Sequence, residues 1–557
     1  MSRSKDKKSV SRREFLITGG AIAAAGALST FTPHTTAAAK SKNATATASS
    51  PWLPEKWDYE ADVVVVGYGG AGTVAAITAH DAGARVLILE KAPYRGGGNT
   101  GVSLGEWVSP SNKQDAVKYL TAACKGQTPP DVIEAWAEEV CKNKEFYDKM
   151  GISYSEPQSR PGYPDLPGAD SMTYYRTKGI GMGWFAQMDK HRKDRGIDVV
   201  FGARAKELIQ DGGTGEILGI GAEMRSGGYG HEKVEREITV KAKRAVIMTT
   251  GGFEYNEQLK AMFHKAYPTN FYGWRYNEGD GIKMCQKVGA DLWHMDVMCG
   301  SANGCLRDVD PSINFQMKIW PKARHNLIHV DSFGRRFMNE EENIPPHSGY
   351  LSYLQWDEAE CQFISTPHFV IFDGVNIKAG ALGEVMGAPN TRGLMAIKKD
   401  LGGWGGWSED NQAEIDKGWI RKGNTGEELA RALQKGSFGV NITAENLKNS
   451  IDRYNEFCKK GVDEDFGRDP KTLFPLNPPY YAFARTLGGI CTHGGPRRGS
   501  NAAILDPDMK PIPRLFSAGS FGSVYARTYS VTGGNLGELS AFGRIAGRNA
   551  AATEPWC

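Results

Sequence analysis

The sequence predicts an α/β fold organised around a parallel sheet, and two neighbouring observations support that fold class. An apolar, β-branched run over 61–66 leads directly into the glycine-rich turn GYGGAG at 67–72. A second predicted strand over 85–89 ends at Glu90. A buried strand, a glycine turn, a helix and a second strand that ends in an acid form the βαβ unit that holds a dinucleotide. We therefore expect a Rossmann-like domain.

Each part of this unit has a physical reason. Gly67 permits the tight turn, Gly69 lets the backbone approach a pyrophosphate, and Gly72 lets the following helix pack against the strand. The helix predicted over 71–82 turns its N-terminal amides and the positive end of its dipole toward the phosphates. Glu90 is placed to accept hydrogen bonds from the ribose hydroxyls.

Size and composition describe a globular enzyme. The chain has 557 residues, more than one hydrophobic core usually supports, so we expect two lobes. Hydrophobic residues make up 40% of the chain and charged residues 24%, which is typical of a packed fold. The net charge is only +3, and no cluster of Lys and Arg is interleaved with aromatic residues, so we expect no nucleic-acid partner.

The N-terminal residues 1–39 have a different character. The run SRREFL at 11–16 is followed by an uncharged stretch over 17–27, and small residues precede a predicted cleavage site near Ala39. The pattern resembles a twin-arginine export signal, and the apolar stretch is short against the ~20 residues of a membrane-spanning helix. We therefore expect an exported protein, periplasmic or extracytoplasmic, with a polar linker over 40–58.

The cysteines predict no disulfide framework and no metal site. The chain has nine, with no CxxC pair and no CxxCH haem motif. An iron-sulfur cluster needs several converging thiolates, and Cys299 with Cys305 is only a weak local hint of one. Scattered buried or surface thiols are the preferred interpretation.

NAD and FAD share the glycine turn, so later motifs must separate them. The chain continues with EKAP at 90–93 and GGNT at 97–100, and further motifs recur in order. They are MTTGGF (248–253), GDG (279–281), GRRFMNE (334–340), FSAG (516–519) and GGNL (533–536). With these motifs the chain resembles the FAD-dependent fumarate reductase and 3-ketosteroid dehydrogenase flavoprotein superfamily over almost everything after residue 58.

The resemblance implies a noncovalent FAD, since relatives that attach the flavin covalently use a histidine in the segment where this chain has Asn99. It also implies a discontinuous FAD-binding domain, 59–296 and 475–557, with an inserted α+β cap domain over 297–474. The cofactor-binding residues it implies are Gly67, Gly69, Gly70, Ala71, Gly72, Glu90, Lys91, Gly98, Asn99, Thr100, Ser103, Ala205, Thr250, Gly251, Asp280, Gly519, Ser520, Asn535 and Leu536.

The residues that bind a dicarboxylate in fumarate reductases are not matched. The corresponding positions hold Ser301, Ile344, Cys491 and Val531 instead of two histidines and two arginines. A dicarboxylate substrate would lack partners for its charges. The resemblance therefore disfavours fumarate reduction.

The C-terminal segment is closer to the steroid branch. The run RTYSVTG at 527–533 has the Arg-Thr-Tyr and the Tyr-to-Gly spacing of 3-ketosteroid dehydrogenases. The resemblance implies that the Tyr529 hydroxyl and the Gly533 amide polarise a substrate ketone. The alternative is that Tyr529 only packs.

Other polar residues are candidates with open alternatives. His493, beside two glycines, could bind flavin or substrate or serve only in structure. Tyr350 and Tyr353 follow the position of the missing cap arginine, so either could donate a proton. Arg497 and Arg498 could hold an anionic group or only water.

We therefore expect an exported FAD-dependent oxidoreductase that reduces a C=C bond conjugated to a carbonyl in an uncharged small molecule. NADH is absent outside the cytoplasm, so a separate cytochrome or other electron-transfer partner is expected. Two alternatives stay open, desaturation of a 3-ketosteroid and a flavoprotein that only relays electrons.

Overall fold

The computed structural model describes residues 53–159, 161–228, 230–309, 316–319, 325–342, 347–384 and 407–556. The predicted export signal and the first part of the predicted linker lie outside these residues. The described helices are α1 Gly70–Asp81, α2 Gly98–Val102, α3 Lys113–Cys124, α4 Pro130–Val140, α5 Asn143–Lys149, α6 Ile180–Asp194, α7 Glu257–Phe263, α8 Asp280–Lys287, α9 Gly374–Lys378, α10 Gln412–Asp416, α11 Gly426–Leu433, α12 Ala444–Lys460 and α13 Gly534–Ala552.

The described strands fall into two large sheets and three small ones. They are β1 Tyr59–Val66, β2 Val86–Glu90, β3 Glu106–Val108, β4 Gln158–Ser159, β5 Thr173–Arg176, β6 Asp198–Phe201, β7 Ala203–Gln210, β8 Ile217–Ser226, β9 Lys233–Met248, β10 Thr269–Phe271, β11 Leu292–Trp293, β12 Met298–Cys305, β13 Gln316–Ile319, β14 Leu327–Val330, β15 Trp356–Asp357, β16 Gln362–Phe363, β17 His368–Asp373, β18 Gly383–Glu384, β19 Arg421–Gly423, β20 Tyr480–Thr492, β21 Gly495–Pro496, β22 Ala503–Leu505 and β23 Pro511–Ser517.

The first sheet has the order β22-β23-β9-β1-β2-β6, and β23, β9, β1, β2 and β6 run parallel. The second half of its central strand β1, the four valines at 63–66, is buried, as is typical of a parallel strand covered on both faces, whereas Tyr59, Glu60 and Asp62 are partly or fully exposed. The predicted strand, helix and second strand agree with β1, α1 and β2 to within two residues. The predicted α/β fold class is confirmed.

Two helices, α1 and α13, pack closely through small residues. A Cβ at Gly547 of α13 would lie 2.6 Å from the Ala75 carbonyl oxygen of α1, and a Cβ at Gly543 would lie 3.0 Å from Val74. The absence of side chains at these glycines lets the two backbones approach. This packing brings the N-termini of both helices to the same cavity.

The second sheet has the order β14-β17-β20-β12-β13-β18, and β10 and β19 also pair with β20. Helix α12 covers part of it through apolar residues such as Ile451. The helix is well delimited, because the Thr443 hydroxyl accepts from the Asn446 amide and Gly461 adopts a left-handed conformation at the other end.

This sheet extends beyond the predicted cap. Strand β20 begins among buried cap residues and ends at Cys491 and Thr492 beside the cavity described below. Strands β10 and β20 lie outside the predicted range 297–474 although they belong to this sheet. The domain boundaries themselves stay a prediction. Within the described ranges, no helix is both long and apolar enough to cross a membrane.

Candidate active site

A cavity that opens to solvent lies where the parallel strands and the helices α1 and α13 meet, and its empty space is about 1060 Å³ when the open solvent at its mouth is included. Of the predicted cofactor-binding residues, Gly72 alone does not line it. Those that line it are Gly67, Gly69, Gly70, Ala71, Glu90, Lys91, Gly98, Asn99, Thr100, Ser103, Ala205, Thr250, Gly251, Asp280, Gly519, Ser520, Asn535 and Leu536. Residues far apart in the sequence are therefore brought to one cavity, although their binding roles stay predictions.

The glycine turn shapes the floor of this cavity. Gly67 has φ +106°, and a Cβ there would lie 2.5 Å from the Thr249 carbonyl oxygen. A Cβ at Gly72 would lie 2.0 Å from the Gly67 carbonyl oxygen, so Gly72 serves the packing of α1 behind the turn. At Gly69 the nearest atoms would be 3.9 Å away, which leaves open space for a ligand to approach the backbone.

Glu90 ends β2 and holds the turn in place. Its Oε2 accepts from the Tyr68 amide and its Oε1 from the Ala92 amide, both at 2.8 Å. Burial raises the pKa of Glu90 to about 7, although the two amides act in the opposite direction. A carboxylate has further lone pairs, so these two amides leave acceptor capacity for ribose hydroxyls.

A cluster of alternating charges lines the cavity beside Glu90. The Lys91 ammonium contacts Asp280 at 2.8 Å and also Glu278, and the Arg204 guanidinium donates two hydrogen bonds to Asp280 at 3.0 and 2.7 Å. Burial raises the pKa of Asp280, but Lys91 and Arg204 together bring it below its usual value. Sequence reasoning found Lys91 and Asp280 and missed Arg204 and Glu278, which follow no local motif.

A second buried carboxyl, Glu254, was also missed. It follows the MTTGGF motif, and its Oε1 accepts from the Asn99 amide at 2.8 Å and from the Thr492 backbone amide at 3.2 Å. Burial raises the pKa of Glu254 to about 7. Its Oε2 is buried and has no hydrogen-bond partner among the described residues. Asn99 is fixed on its other side, since its Oδ1 accepts from the Trp274 amide at 2.6 Å.

These features fit a dinucleotide. Helix α1 begins at Gly70, which lines the cavity; its N-cap residue Gly69 has no side chain, and the Gly70 amide donates to the Thr100 hydroxyl at 3.2 Å. The positive end of this helix is suited to phosphate. The Thr250 hydroxyl, on a residue that lines the cavity, is a buried polar atom without a partner among the described residues. Buried polar groups need hydrogen bonds, and a ligand with phosphates, ribose hydroxyls and a polar ring supplies them.

Tyr529, the residue predicted to polarise a ketone, does not itself line the cavity, and neither do His493 and Gly533, but Tyr529 contacts Asn535, which does. The Tyr529 hydroxyl oxygen accepts from the Asn535 backbone amide at 3.1 Å, and its own proton has no acceptor among the described residues. Burial raises the pKa of Tyr529 well above its ordinary value, so the hydroxyl keeps its proton. Asn535 lines the cavity, and its side-chain amide donates to the Cys491 sulfur at 3.3 Å.

Two histidines lie beside Tyr529. The His493 ring is 5.3 Å from the Tyr529 ring, is fully buried, and has no hydrogen bond at either nitrogen within the described structure. The His347 ring is 5.9 Å from that of Tyr529 and meets it edge-on. Sequence reasoning found His493 and missed His347, because only the fold brings it to Tyr529.

Gly533 precedes α13 with φ +70°, and a Cβ there would come within 3.0 Å of the Trp107 backbone. Only glycine fits this position without strain. Its carbonyl oxygen accepts from the Val108 amide at 3.2 Å, while its own amide donates to none of the described residues. The role predicted for this amide, polarising a substrate ketone, stays a prediction.

The predicted proton donors lie outside the cavity lining. The Tyr350 hydroxyl donates to the Arg527 carbonyl oxygen at 3.1 Å. The Tyr353 ring stacks on His368 at 5.1 Å, and the Arg485 guanidinium lies 6.0 Å from it. Their role as proton donors stays a prediction.

Arg497 and Arg498 are both occupied within the protein. Arg497 pairs with Asp291 at 2.7 Å, while the buried Arg498 donates to the carbonyl oxygens of Gly522 and Gly519 and pairs with Glu538 at 3.1 Å. The suggestion that they hold an anionic ligand is not supported, because each guanidinium already has a protein partner. Arg498 instead fixes the loop that carries Gly519.

The positions that differ from fumarate reductases carry no positive charge. Ser301 pairs with Gly488 across β12 and β20, and Cys491 and Val531 are buried. Ile344 lies outside the described residues. The described cations that line the cavity are Lys91 and Arg204, and both are paired with acids.

Comparisons with known proteins agree with this geometry. A family model described as FAD binding domain matches residues 62–536. The digoxin reductase of Eggerthella lenta is 24% identical over 99% of this chain and 98% of the relative, and the urocanate reductase of the same organism is 27% identical over 90% and 76%. The solved structure of 3-ketosteroid delta1-dehydrogenase from Sterolibacterium denitrificans has a TM-score of 0.68 at 22% identity, covering 88% of this chain and 99% of that one.

The family match covers most of the chain, and the solved structure has the predicted fold. FAD as the cofactor is confirmed. The chain belongs to the FAD binding domain family and is an FAD-dependent oxidoreductase that acts on CH–CH or C=C bonds.

Proposed function

We propose that this protein is an exported reductase of an uncharged small molecule whose C=C bond is conjugated to a carbonyl group. The bound flavin supplies two-electron chemistry at the carbon β to that carbonyl. The residues of the chain bind the substrate carbonyl, stabilise the charge that develops on its oxygen and exclude water.

The observation that carries the proposal is the state of the Tyr529 hydroxyl. The hydroxyl is protonated and buried, and its oxygen already accepts a hydrogen bond from the Asn535 backbone amide. Its proton can therefore be donated to an acceptor that binds beside it. The Gly533 amide, which donates to none of the described residues, lies at the N-cap of α13, the helix that also carries Asn535. A carbonyl oxygen that accepts from both groups would gain stabilisation as negative charge develops on it.

The surroundings of Tyr529 favour an uncharged substrate. A dicarboxylate needs cations, and the two that line the cavity among the described residues are bound to Asp280 and Glu278 beside Glu90. Burying an unpaired carboxylate against Cys491 and Val531 would be costly. The similarity to a digoxin reductase agrees with this preference, whereas the similarity to a urocanate reductase is compatible with the reaction type alone.

Export and the electron source belong to the proposal as well. The twin-arginine-like run at 11–16 supports an extracytoplasmic location. Nicotinamide cofactors are not supplied there, and the sequence contains no CxxCH haem motif. A separate cytochrome or comparable electron-transfer protein is therefore the proposed donor.

A second candidate is desaturation of a 3-ketosteroid. Tyr529 and Gly533 would serve this reaction equally well, because they stabilise the same charged oxygen in either direction. The similarity to the solved 3-ketosteroid dehydrogenase supports this alternative. A flavoprotein that only relays electrons is less favoured, since it has no use for the hydroxyl of Tyr529.

The test uses the FAD-loaded protein, photoreduced without oxygen and mixed in turn with an enone, an unsaturated lactone, an acrylate ester and fumarate. We expect the absorbance of oxidised flavin to return with one or more uncharged acceptors and not with fumarate. Recovery of the oxidised-flavin absorbance with fumarate alone would contradict the assignment. Return with none would favour the relay, and rapid reduction of the oxidised protein by a saturated 3-ketosteroid would favour desaturation.

A further inference from the structure

Two buried cysteines face each other beside the reaction site. Cys299 on β12 and Cys491 on β20 are direct partners across an antiparallel strand pair. Both side chains are almost fully buried, and Cys491 lines the cavity. The other described cysteines lie on other elements, except Cys305 at the far end of β12.

The strand geometry suits a bond between these two sulfurs. Directly opposite residues of antiparallel strands have Cα atoms about 4.5 or 5.5 Å apart, and a disulfide needs a separation between about 4.4 and 6.8 Å. Side chains of such a pair project on the same face of the sheet. The Cys299 thiol is also a hydrogen-bonding neighbour that raises the pKa of Cys491. The register shift after Cys299 does not separate this pair.

We propose that Cys299 and Cys491 are a redox modification site, at which a small disulfide entering the cavity converts the two thiols to a cross-strand disulfide. Cys491, which lines the cavity, is the thiol that attacks the small disulfide, and Cys299 is the resolving thiol. No other described pair of cysteines is placed opposite one another across two strands.

The exchange takes place in two steps. The Cys491 thiolate attacks one sulfur of the small disulfide, forming a mixed disulfide and releasing one small thiolate. The Cys299 thiolate then attacks the Cys491 sulfur, which forms the protein disulfide and releases the second small thiolate. The cysteines lose two electrons and two protons, and the small disulfide gains both as it becomes two thiols.

Closure of this bond alters the site next to Tyr529. The Asn535 side chain donates to the Cys491 thiol, and a disulfide sulfur is a different acceptor in a different position. Closure also joins β12 to the end of β20 at the cavity wall. We expect the oxidised form to turn over more slowly, an expectation that rests on the proposed function, whereas formation of the bond does not.

The exchange should accelerate with pH. The neighbouring Cys299 thiol and burial raise the pKa of Cys491 well above that of a free thiol, although His493 acts in the opposite direction. The thiolate is the attacking species, so its fraction and the rate of exchange rise together as the solution becomes alkaline.

The experiment treats the FAD-loaded protein with 2-hydroxyethyl disulfide, alkylates the remaining thiols after unfolding, and maps the peptides by mass spectrometry. We expect the Cys299 and Cys491 peptides to be joined, lighter than their sum by two hydrogen atoms, and to separate with dithiothreitol. Full alkylation of both cysteines, under conditions that modify the exposed Cys361, would overturn the proposal. So would a stable mixed disulfide at Cys491.

Matched variants separate the pair from the other thiols. Cys299→Ser should stop at the mixed disulfide on Cys491, and Cys361→Ser should form the cross-strand bond as the native protein does. The peptide map needs no substrate, so its result does not depend on whether the proposed reaction is correct. In Cys299→Ser, a disulfide between Cys491 and any other cysteine of the chain would overturn the assignment.

Discussion

The cofactor cavity and the reaction face are built in different ways. We use reaction face for the group Tyr529, Gly533, Asn535, Cys491 and His493. The cavity floor consists of backbone, with glycines where a Cβ would collide and amides at the start of α1. The reaction face combines the side chains of Tyr529, Cys491 and His493 with backbone amides of the segment 529–535, joined by single contacts such as that from the Asn535 backbone amide to the Tyr529 hydroxyl.

This difference has a physical consequence. A floor made of backbone tolerates almost no added atom, because glycine positions with close neighbours cannot relax. A face made of side chains can exchange its groups while the fold persists. The first region should therefore respond to substitution with loss of FAD or of stability, and the second with loss of turnover alone.

The largest effect is expected for Gly72→Ala. The added Cβ would lie 2.0 Å from the Gly67 carbonyl oxygen, so the turn and α1 must separate. We expect a marked fall in melting temperature and no retained FAD. Thermal unfolding and flavin absorbance after gel filtration measure both.

Gly69→Ala is the matched control. Its Cβ would find the nearest atoms 3.9 Å away, so the free protein should keep its free energy of unfolding to within about 1 kcal/mol. The methyl would occupy space needed by the pyrophosphate, and FAD should bind at least about tenfold more weakly. Equal melting temperatures for the two variants would contradict the backbone account.

The two neighbouring arginines provide the next comparison. Arg498→Met removes a buried cation from Glu538 and from the carbonyls of Gly519 and Gly522, and should lower the free energy of unfolding by about 3 to 5 kcal/mol. Arg497→Met removes a partly exposed pair with Asp291 and should cost less than about 1 kcal/mol. Denaturant titration distinguishes them, and similar losses would contradict the role given to Arg498.

The smallest effect concerns the pH dependence of FAD binding. Burial places the pKa of Glu90 at about 7 in the free protein. Ribose hydroxyls stabilise the carboxylate, so below that pH binding must release a proton. The affinity should rise by up to about tenfold per pH unit as the pH increases to about 7, and level above it.

Fluorescence titration of the free protein with FAD at several pH values measures this slope. In Glu90→Gln the slope should disappear, because the amide has no proton to release. Persistence of the same slope would assign the titrating group elsewhere, and Glu254, with a pKa of about 7, is the next candidate.

The fold and the cavity floor could be predicted from the sequence because their requirements are local. A strand, a glycine turn and a helix are adjacent in the chain, and Glu90 follows at the end of the next strand. The predicted bounds of these elements differ from the structure by no more than two residues. The conserved chemistry of a phosphate site thus depends on neighbours along the chain.

The residues that contact the cavity floor, and those that surround Tyr529 on the reaction face, could not be predicted from local sequence. Arg204 meets Asp280 and Glu254 meets Asn99 only after strands far apart in sequence are assembled. His347 reaches Tyr529 in the same manner. Resemblance to a family indicated Tyr529, but not that its hydroxyl accepts the Asn535 amide.

The most direct test of the central claim compares Tyr529→Phe with Tyr350→Phe, in FAD-loaded protein reduced and mixed with the best uncharged acceptor. The Tyr529 hydroxyl has a proton to donate, whereas that of Tyr350 already donates to the Arg527 carbonyl oxygen. We predict that Tyr529→Phe keeps FAD and reoxidises about 10² to 10³ times more slowly, while Tyr350→Phe stays within about threefold of the native rate. Native reoxidation rates in Tyr529→Phe would contradict the account.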